Sequence, residues 1–218
     1  IAKRGHYFVI GSPMPGGVCL LCEGFATGAS LHEATALPVV VAFDAGNLLP
    51  VAQSICKTYR GLRLLICADD DAMQTCRSCA AWTPVDAAAC VVCGNPHGKR
   101  NAGIEAAKTA ALAVGGHVTT PIFPGERPST HKGPTDFNDL HVHPDGGLSM
   151  VRRQVETSLS AVGWAFGKPA RARAPADTQG AGDFSRTPLQ PLYTIDEACE
   201  RWTLLYGSDG AFFDAVDH

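Results

Sequence analysis

Apolar residues along the first 150 positions come in two rhythms. Val18-Cys19-Leu20-Leu21-Cys22, residues 38–43 and residues 62–68 are short runs of mostly large or β-branched apolar side chains, interrupted only by Arg63. Runs of that length predict strands covered on both faces. Between them lie stretches of helical character. Residues 26–35 are small and helix-compatible, and residues 104–114 form an Ala-rich helix. Residues 48–59 place Leu49, Ala52, Ile55, Cys56 and Tyr59 on one helical face. Residues 117–123 read as a further strand. Alternating helices and fully apolar strands predict an α/β domain with a central, mainly parallel sheet and helices on both faces.

Two segments break this rhythm. Residues 72–100 form a Cys-rich insert. Residues 165–190 are rich in Pro, Gly, Ala and Arg, the composition of a flexible linker. Beyond it, residues 194–206 predict a new helix, with Thr194 as N-cap and Glu197 as its capping-box partner. The α/β domain is therefore expected over residues 7–157, and the start of a further, truncated domain over residues 191–218. The opening Ile1-Ala2-Lys3-Arg4 and the abrupt end at Asp217-His218 suggest a piece of a longer polypeptide.

Composition narrows the chemistry. The chain has 218 residues and a net charge of −3, so it carries no global basic footprint, and a nucleic-acid partner must be met locally or through metal ions. No apolar run approaches the ~18 residues of a membrane span, and the start has no secretory signal. A cytoplasmic protein is expected. Nine cysteines, an odd number without a signal peptide, favour metal binding over a disulfide framework.

Acidic residues gather at the ends of the predicted strands. Glu23-Gly24 follows the first run, and Asp69-Asp70-Asp71 follows the third. The carboxyl ends of parallel strands share one edge, where ligands bind. Alternation along an extended segment lets Asp69 and Asp71 face one cation together. Hard oxygen ligands suit Mg²⁺ or Mn²⁺, and without a cation the like charges raise one another's pKa. A third patch, Thr135-Asp136-Phe137-Asn138-Asp139-Leu140, follows the last predicted strand.

The insert carries Cys76-Arg77-Ser78-Cys79 and Cys90-Val91-Val92-Cys93, two CxxC pairs separated by ten residues. Four thiolates at that spacing close a tetrahedral structural Zn²⁺ site. Cys19 and Cys22 also read CxxC, but an odd spacing on a strand sends them to opposite faces, so they are core. Cys56, Cys67 and Cys199 are read as core as well. Residues 94–100 lack the spacing of a phosphate-binding Walker loop. Lys99, Arg100, Lys108 and Lys132 are candidate phosphate contacts. His131, His141 and His143 are read as surface or packing residues.

Taken in order, Glu23-Gly24-Phe25-Ala26-Thr27-Gly28, Ala68-Asp69-Asp70-Asp71 and Thr135-Asp136-Phe137-Asn138-Asp139-Leu140 resemble the Toprim domain. The version they resemble is that of DNA primases and primase-helicases of phages, plasmids and mobile elements. The resemblance implies acid-base or metal-linked work for Glu23, divalent-ion binding by Asp69 and Asp71, and completion of the metal site by Asp136 and Asp139, with Asp70 beside it. Asn101-Ala102-Gly103 resembles the segment that opens the helix after the Asp motif; the Cys-rich insert departs from the simplest family pattern. The implied activity is Mg²⁺-dependent nucleotidyl transfer, making primers from nucleoside triphosphates on single-stranded DNA. Leu204-Leu205-Tyr206-Gly207-Ser208-Asp209-Gly210 resembles a segment that precedes the helicase part in some primase-helicases, which implies a helicase partner. Two other readings stand beside it. A Toprim nuclease or topoisomerase-like enzyme would use the same acids to cut DNA, although Tyr7, Tyr59, Tyr193 and Tyr206 lack the context of a nucleophile. A non-catalytic, zinc-containing nucleic-acid-binding module would leave the intact acids unexplained.

Overall fold

The computed structural model describes residues 4–97 and 101–166. Five strands form the main sheet: β1 (Phe8–Ile10), β2 (Val18–Cys22), β3 (Val39–Val41), β4 (Arg63–Cys67) and, after a hairpin of two further strands, β7 (His117–Thr119). Their order is β1-β3-β2-β4-β7. All neighbours run parallel except β1, which pairs antiparallel with β3 at one edge. The expected mainly parallel sheet is present, and the antiparallel edge strand is an addition to it.

Side-chain alternation builds two cores. Leu20, Cys22, Val39, Val41, Leu65 and Cys67 face α1 (Phe25–Thr35), α4 (Phe137–Val142) and α5 (Leu148–Ala161). Cys19, Leu21, Val40, Leu64 and Ile66 face α2 (Leu48–Thr58) and α3 (Ala102–Val114). Cys19 and Cys22 are thus buried on opposite faces, as their odd spacing requires. Apart from Arg63, which opens β4, the central strands β2, β3 and β4 are buried throughout, which is why their sequences show no polar alternation.

Several boundaries differ from the expectation for physical reasons. The strand read over residues 117–123 stops at Thr119, because Pro121 has no N–H to continue a ladder. The buried face of α2 centres on Leu48, Val51, Ala52 and Ile55, with Leu49, Cys56 and Tyr59 flanking it. The six-residue helix α4 stands in the third acidic patch. Within the insert, β5 (Met73–Thr75) and β6 (Trp82–Pro84) form a two-stranded antiparallel hairpin. Among the described residues, no helix is long and apolar enough to cross a membrane. The helix read over residues 194–206, nearly all of the linker, Cys199, Lys99 and Arg100 lie outside the described residues.

Topology creates the crevice. β2 sits between β3 and β4. The chain leaves β2 into α1 on one face, and leaves β4 for α3 on the other. Adjacent strands whose connections diverge to opposite faces open a ligand-binding switch point at their carboxyl ends.

Candidate functional site

Glu23 follows β2 directly, and Asp69 stands two residues beyond β4. The two strands pair in parallel with Leu21 opposite Ile66, so both acids emerge at the switch point. Backbone hydrogen bonds draw the flanking loops together. Phe43 N–H donates to Glu23 O at 2.8 Å, and Asp70 N–H donates to Thr135 O at 2.8 Å. Asp136, beside Thr135, accepts from Thr27 Oγ1 at 2.8 Å. All three acidic patches read in the sequence therefore meet at one edge.

Close packing presses the acids together. A Cβ on Gly103, at the start of α3, would lie 2.7 Å from Asp69 O and 3.0 Å from Glu23 Oε1. Only glycine permits that approach. Asn101 caps the same helix by accepting from Ile104 N–H, and its Nδ2 donates to Asp70 Oδ1 at 2.8 Å and to Asp71 O at 3.1 Å.

The electrostatics follow from this crowding. Burial first, then the charges of Asp71, Asp44 and Asp136, pushes Glu23 up to about 7. Burial, then Glu23, Asp136 and Asp71, raises Asp69 to about 8, against the opposing charge of Lys132. Glu23 Oε1 and Asp69 Oδ1 are buried with no hydrogen-bond partner among the described residues. Buried carboxylate oxygens left unpaired are costly. A divalent cation would satisfy both oxygens and offset the repulsion, and hard oxygen donors of this kind suit Mg²⁺ or Mn²⁺.

The remaining acids divide by their partners. Both carboxylate oxygens of Asp70 are engaged, Oδ1 by Asn101 and Oδ2 by Arg127 Nη1 at 2.7 Å. Asp70 is thereby turned to a structural clasp. Asp136 N-caps α4 by accepting from Asp139 N–H at 2.8 Å, and Asp139 Oδ2 accepts from Asp136 N–H at 3.3 Å, completing a capping box, and also from Thr135 N–H at 2.7 Å. Asp139 also lines a separate cavity of about 650 Å³ with Phe123, Arg127, Lys132 and His143. His141 meets Ser30 Oγ at 2.9 Å, His143 lies against Phe123, and His131 is exposed. Lys108 and Lys132 are exposed. Sequence reasoning missed Thr27, Asp44 and Arg127. Asp44 had a visible signal, because it too follows a strand end.

The four insert cysteines form a second centre. Their Sγ atoms all lie within 4.8 Å of one another, with Cys76–Cys93 at 3.7 Å and Cys79–Cys90 at 3.6 Å. Tetrahedral Zn–S bonds of ~2.3 Å imply S–S edges of about 3.8 Å. The two CxxC turns are near copies. Cys76 and Cys90 each donate N–H to the carbonyl five residues on, and each carbonyl accepts from the residue four on. The Sγ of each accepts an N–H from two residues on, at 3.4 Å. The turns close through positive φ at Ala80 and Gly94. N–H groups of Ser78 and Cys79 pull the Cys76 thiol below its ordinary value, favouring the thiolate that binds metal. This geometry fits a zinc ribbon.

Crowded carboxylates thus gather at the switch point of a doubly wound sheet, the place where such folds bind ligands. The family is specific: residues 18–144 match the model of the Toprim domain, and the chain belongs to that family. It is similar to two Escherichia coli proteins named DNA primase TraC. One is 30% identical over 144 residues, covering 66% of this chain and 8% of the relative. The other is 32% identical over 128 residues, covering 57% of this chain and 10% of the relative. The chain thus spans a tenth or less of the length of these curated relatives. No solved structure matches it.

Proposed function

We propose that this chain is the catalytic Toprim core of a DNA primase, serving replication of a mobile element or phage. It would join nucleoside triphosphates into short primers on single-stranded DNA. The observation that carries the reading is the pair of buried, unpartnered oxygens, Glu23 Oε1 and Asp69 Oδ1, in a Toprim domain. Similarity to proteins named DNA primase favours joining over cutting, a choice that the acids alone leave open.

Asp69 and Asp71 would hold the divalent cations, with Asp136 completing the set from α4. When bound, such ions activate a 3′-hydroxyl and neutralise a pyrophosphate leaving group. Glu23, raised to about 7, can hold or release a proton near neutral pH, the property required of a general acid-base. Asn101 and Arg127 hold Asp70 away from the cluster, which leaves Asp69 and Asp71 to face the cations. Thr27 orients Asp136 through its hydroxyl. The zinc ribbon stabilises the loop that follows the aspartates and takes no chemical step.

Binding of Mn²⁺ to this chain, followed by electron paramagnetic resonance, tests the metal assignment without requiring turnover. Wild type should bind Mn²⁺ in competition with Mg²⁺, and Asp69→Asn should bind it at least tenfold more weakly, the worth of about one charged ligand contact. Equal binding by the variant would sink the assignment.

A further inference from the structure

Three phenylalanines stand exposed at the carboxyl edge of the sheet, beside the carboxylates. Phe8 is 40% exposed, Phe25 37% and Phe43 52%. Phe8 pairs with Val41 across β1 and β3, which puts it at the carboxyl end of the parallel strands. Phe25 opens α1, two residues after Glu23, and its ring lies 5.5 Å from that of Phe8. Phe43 follows β3, and its N–H is bonded to Glu23 O at 2.8 Å.

Phe43 is held at a cost. Its φ is 70°, a left-handed conformation that a bulky side chain rarely adopts and that glycine or asparagine occupies more cheaply. The surrounding backbone is over-determined. Buried Asn47 donates to Ala42 O at 2.7 Å and to His6 O at 2.8 Å, while accepting from Gly5 N–H at 2.7 Å. Asn47 thus ties β1 to the turn that carries Phe43. Its own N–H is capped by Asp44 Oδ1 at 2.9 Å. An exposed aromatic residue maintained in a strained turn, next to a functional carboxylate, contributes little to the core and points to a ligand.

On the primase reading that ligand is a DNA strand, and charge limits how it could be held. Glu23, Asp44, Asp69, Asp71 and Asp136 make this edge acidic, and the chain's net charge is −3. Phosphate attraction cannot hold a strand here except through cations. The uncharged part of a nucleic acid is the base, and exposed aromatic rings bind bases by stacking whatever the sequence. We propose that Phe8, Phe25 and Phe43 form a base-stacking platform that seats single-stranded DNA beside the carboxylates. The proposal rests on the primase reading for the identity of the strand, and on the aromatic geometry for the contact.

The test uses the whole chain in Mg²⁺ and a fluorescent oligothymidylate of about 12 nucleotides, followed by anisotropy. Phe43→Gly and Phe25→Ala should each weaken binding by on the order of tenfold, given the usual worth of one stacked base. Phe43→Gly relieves the left-handed strain, so its melting temperature should not fall, which separates lost stacking from lost folding. An oligomer with abasic sites in place of its bases should bind wild type at least as weakly as either variant binds thymidylate. The platform is overturned if both variants bind like wild type, if the abasic oligomer binds as tightly, if wild type binds no oligomer, or if only binding of free nucleoside triphosphate falls. Primer synthesis by the parent protein is read separately. Weakened binding without primer synthesis contradicts the primase reading alone; primer synthesis with unaltered binding contradicts the platform alone.

Discussion

Arg127 grips Asp70, the middle aspartate of Asp69-Asp70-Asp71, from outside the acidic cluster. Its Nη1 lies 2.7 Å from Asp70 Oδ2, and its Nη2 donates to Asp70 O and, at 2.8 Å, to Pro134 O. Its guanidinium also rests 5.2 Å from the centre of the Phe123 ring. One side chain therefore fastens the loop before Asp136 to the Asp motif, and engages the middle one of three adjacent carboxylates.

Replacing Arg127 should loosen this clasp. Arg127→Ala is expected to cost about 1–3 kcal/mol in denaturant unfolding, the usual penalty for leaving a partly buried carboxylate and carbonyls unpaired. Arg127→Lys should recover little, because a point charge cannot reproduce the fork. Unchanged stability in Arg127→Ala would remove the clasp from this account.

Gly103→Ala offers a reversal of sign. In an exposed helix this change stabilises by about 1 kcal/mol. Here the new Cβ would meet Asp69 O at 2.7 Å, so α3 or the Asp loop must shift. The variant should melt lower and bind Mn²⁺ more weakly while keeping its zinc. A higher melting temperature with intact Mn²⁺ binding would contradict the close approach.

Stability should fall with rising pH unless divalent ions are present. Both carboxyls have unfolded values near about 4, whereas Glu23 is raised to about 7 and Asp69 to about 8 in the fold. Between those limits the folded state binds more protons than the unfolded chain, so raising the pH destabilises it. The contribution of these groups is greatest below about 4, and is lost as the pH climbs through 7 to 8. Cations prefer the ionised forms. Added Mg²⁺ should therefore raise the melting temperature more at about pH 8 than at about pH 6. An equal shift at both would argue against cation binding by these carboxyls.

Zinc content separates the two CxxC motifs. Purified chain should hold about one zinc, lost in the double variant Cys76→Ser with Cys79→Ser and kept in Cys19→Ser. Cys19 is buried against α2 and α3, on the face opposite Cys22, and cannot join a site with it. Zinc retained by the double variant would refute the ribbon.

Much of this architecture was legible because buried parallel strands announce themselves. Val18–Cys22 is apolar at every position and is buried at every position. Acids placed directly after such runs could be assigned to one edge, since parallel strands end together. Short elements were harder. Phe8–Ile10 has three residues and gains its identity only from pairing with β3. Phe137–Val142 is a single capped helix whose Asp136 and Asp139 looked like metal ligands alone, although both carboxylates also bind backbone N–H groups. Arg127 and Thr27 reach their acids across 57 and 109 positions, and no local pattern encodes such pairings.

The most direct test of the central claim is primer synthesis by the full-length parent protein. Single-stranded DNA, nucleoside triphosphates and Mg²⁺ are supplied, and short labelled oligomers are sought. Wild type should make them, and Asp69→Ala or Asp71→Ala should abolish them while zinc content and folding persist. A wild-type protein that nicks the template and makes no oligomer, or an Asp69→Ala variant that primes as well as wild type, would contradict the account.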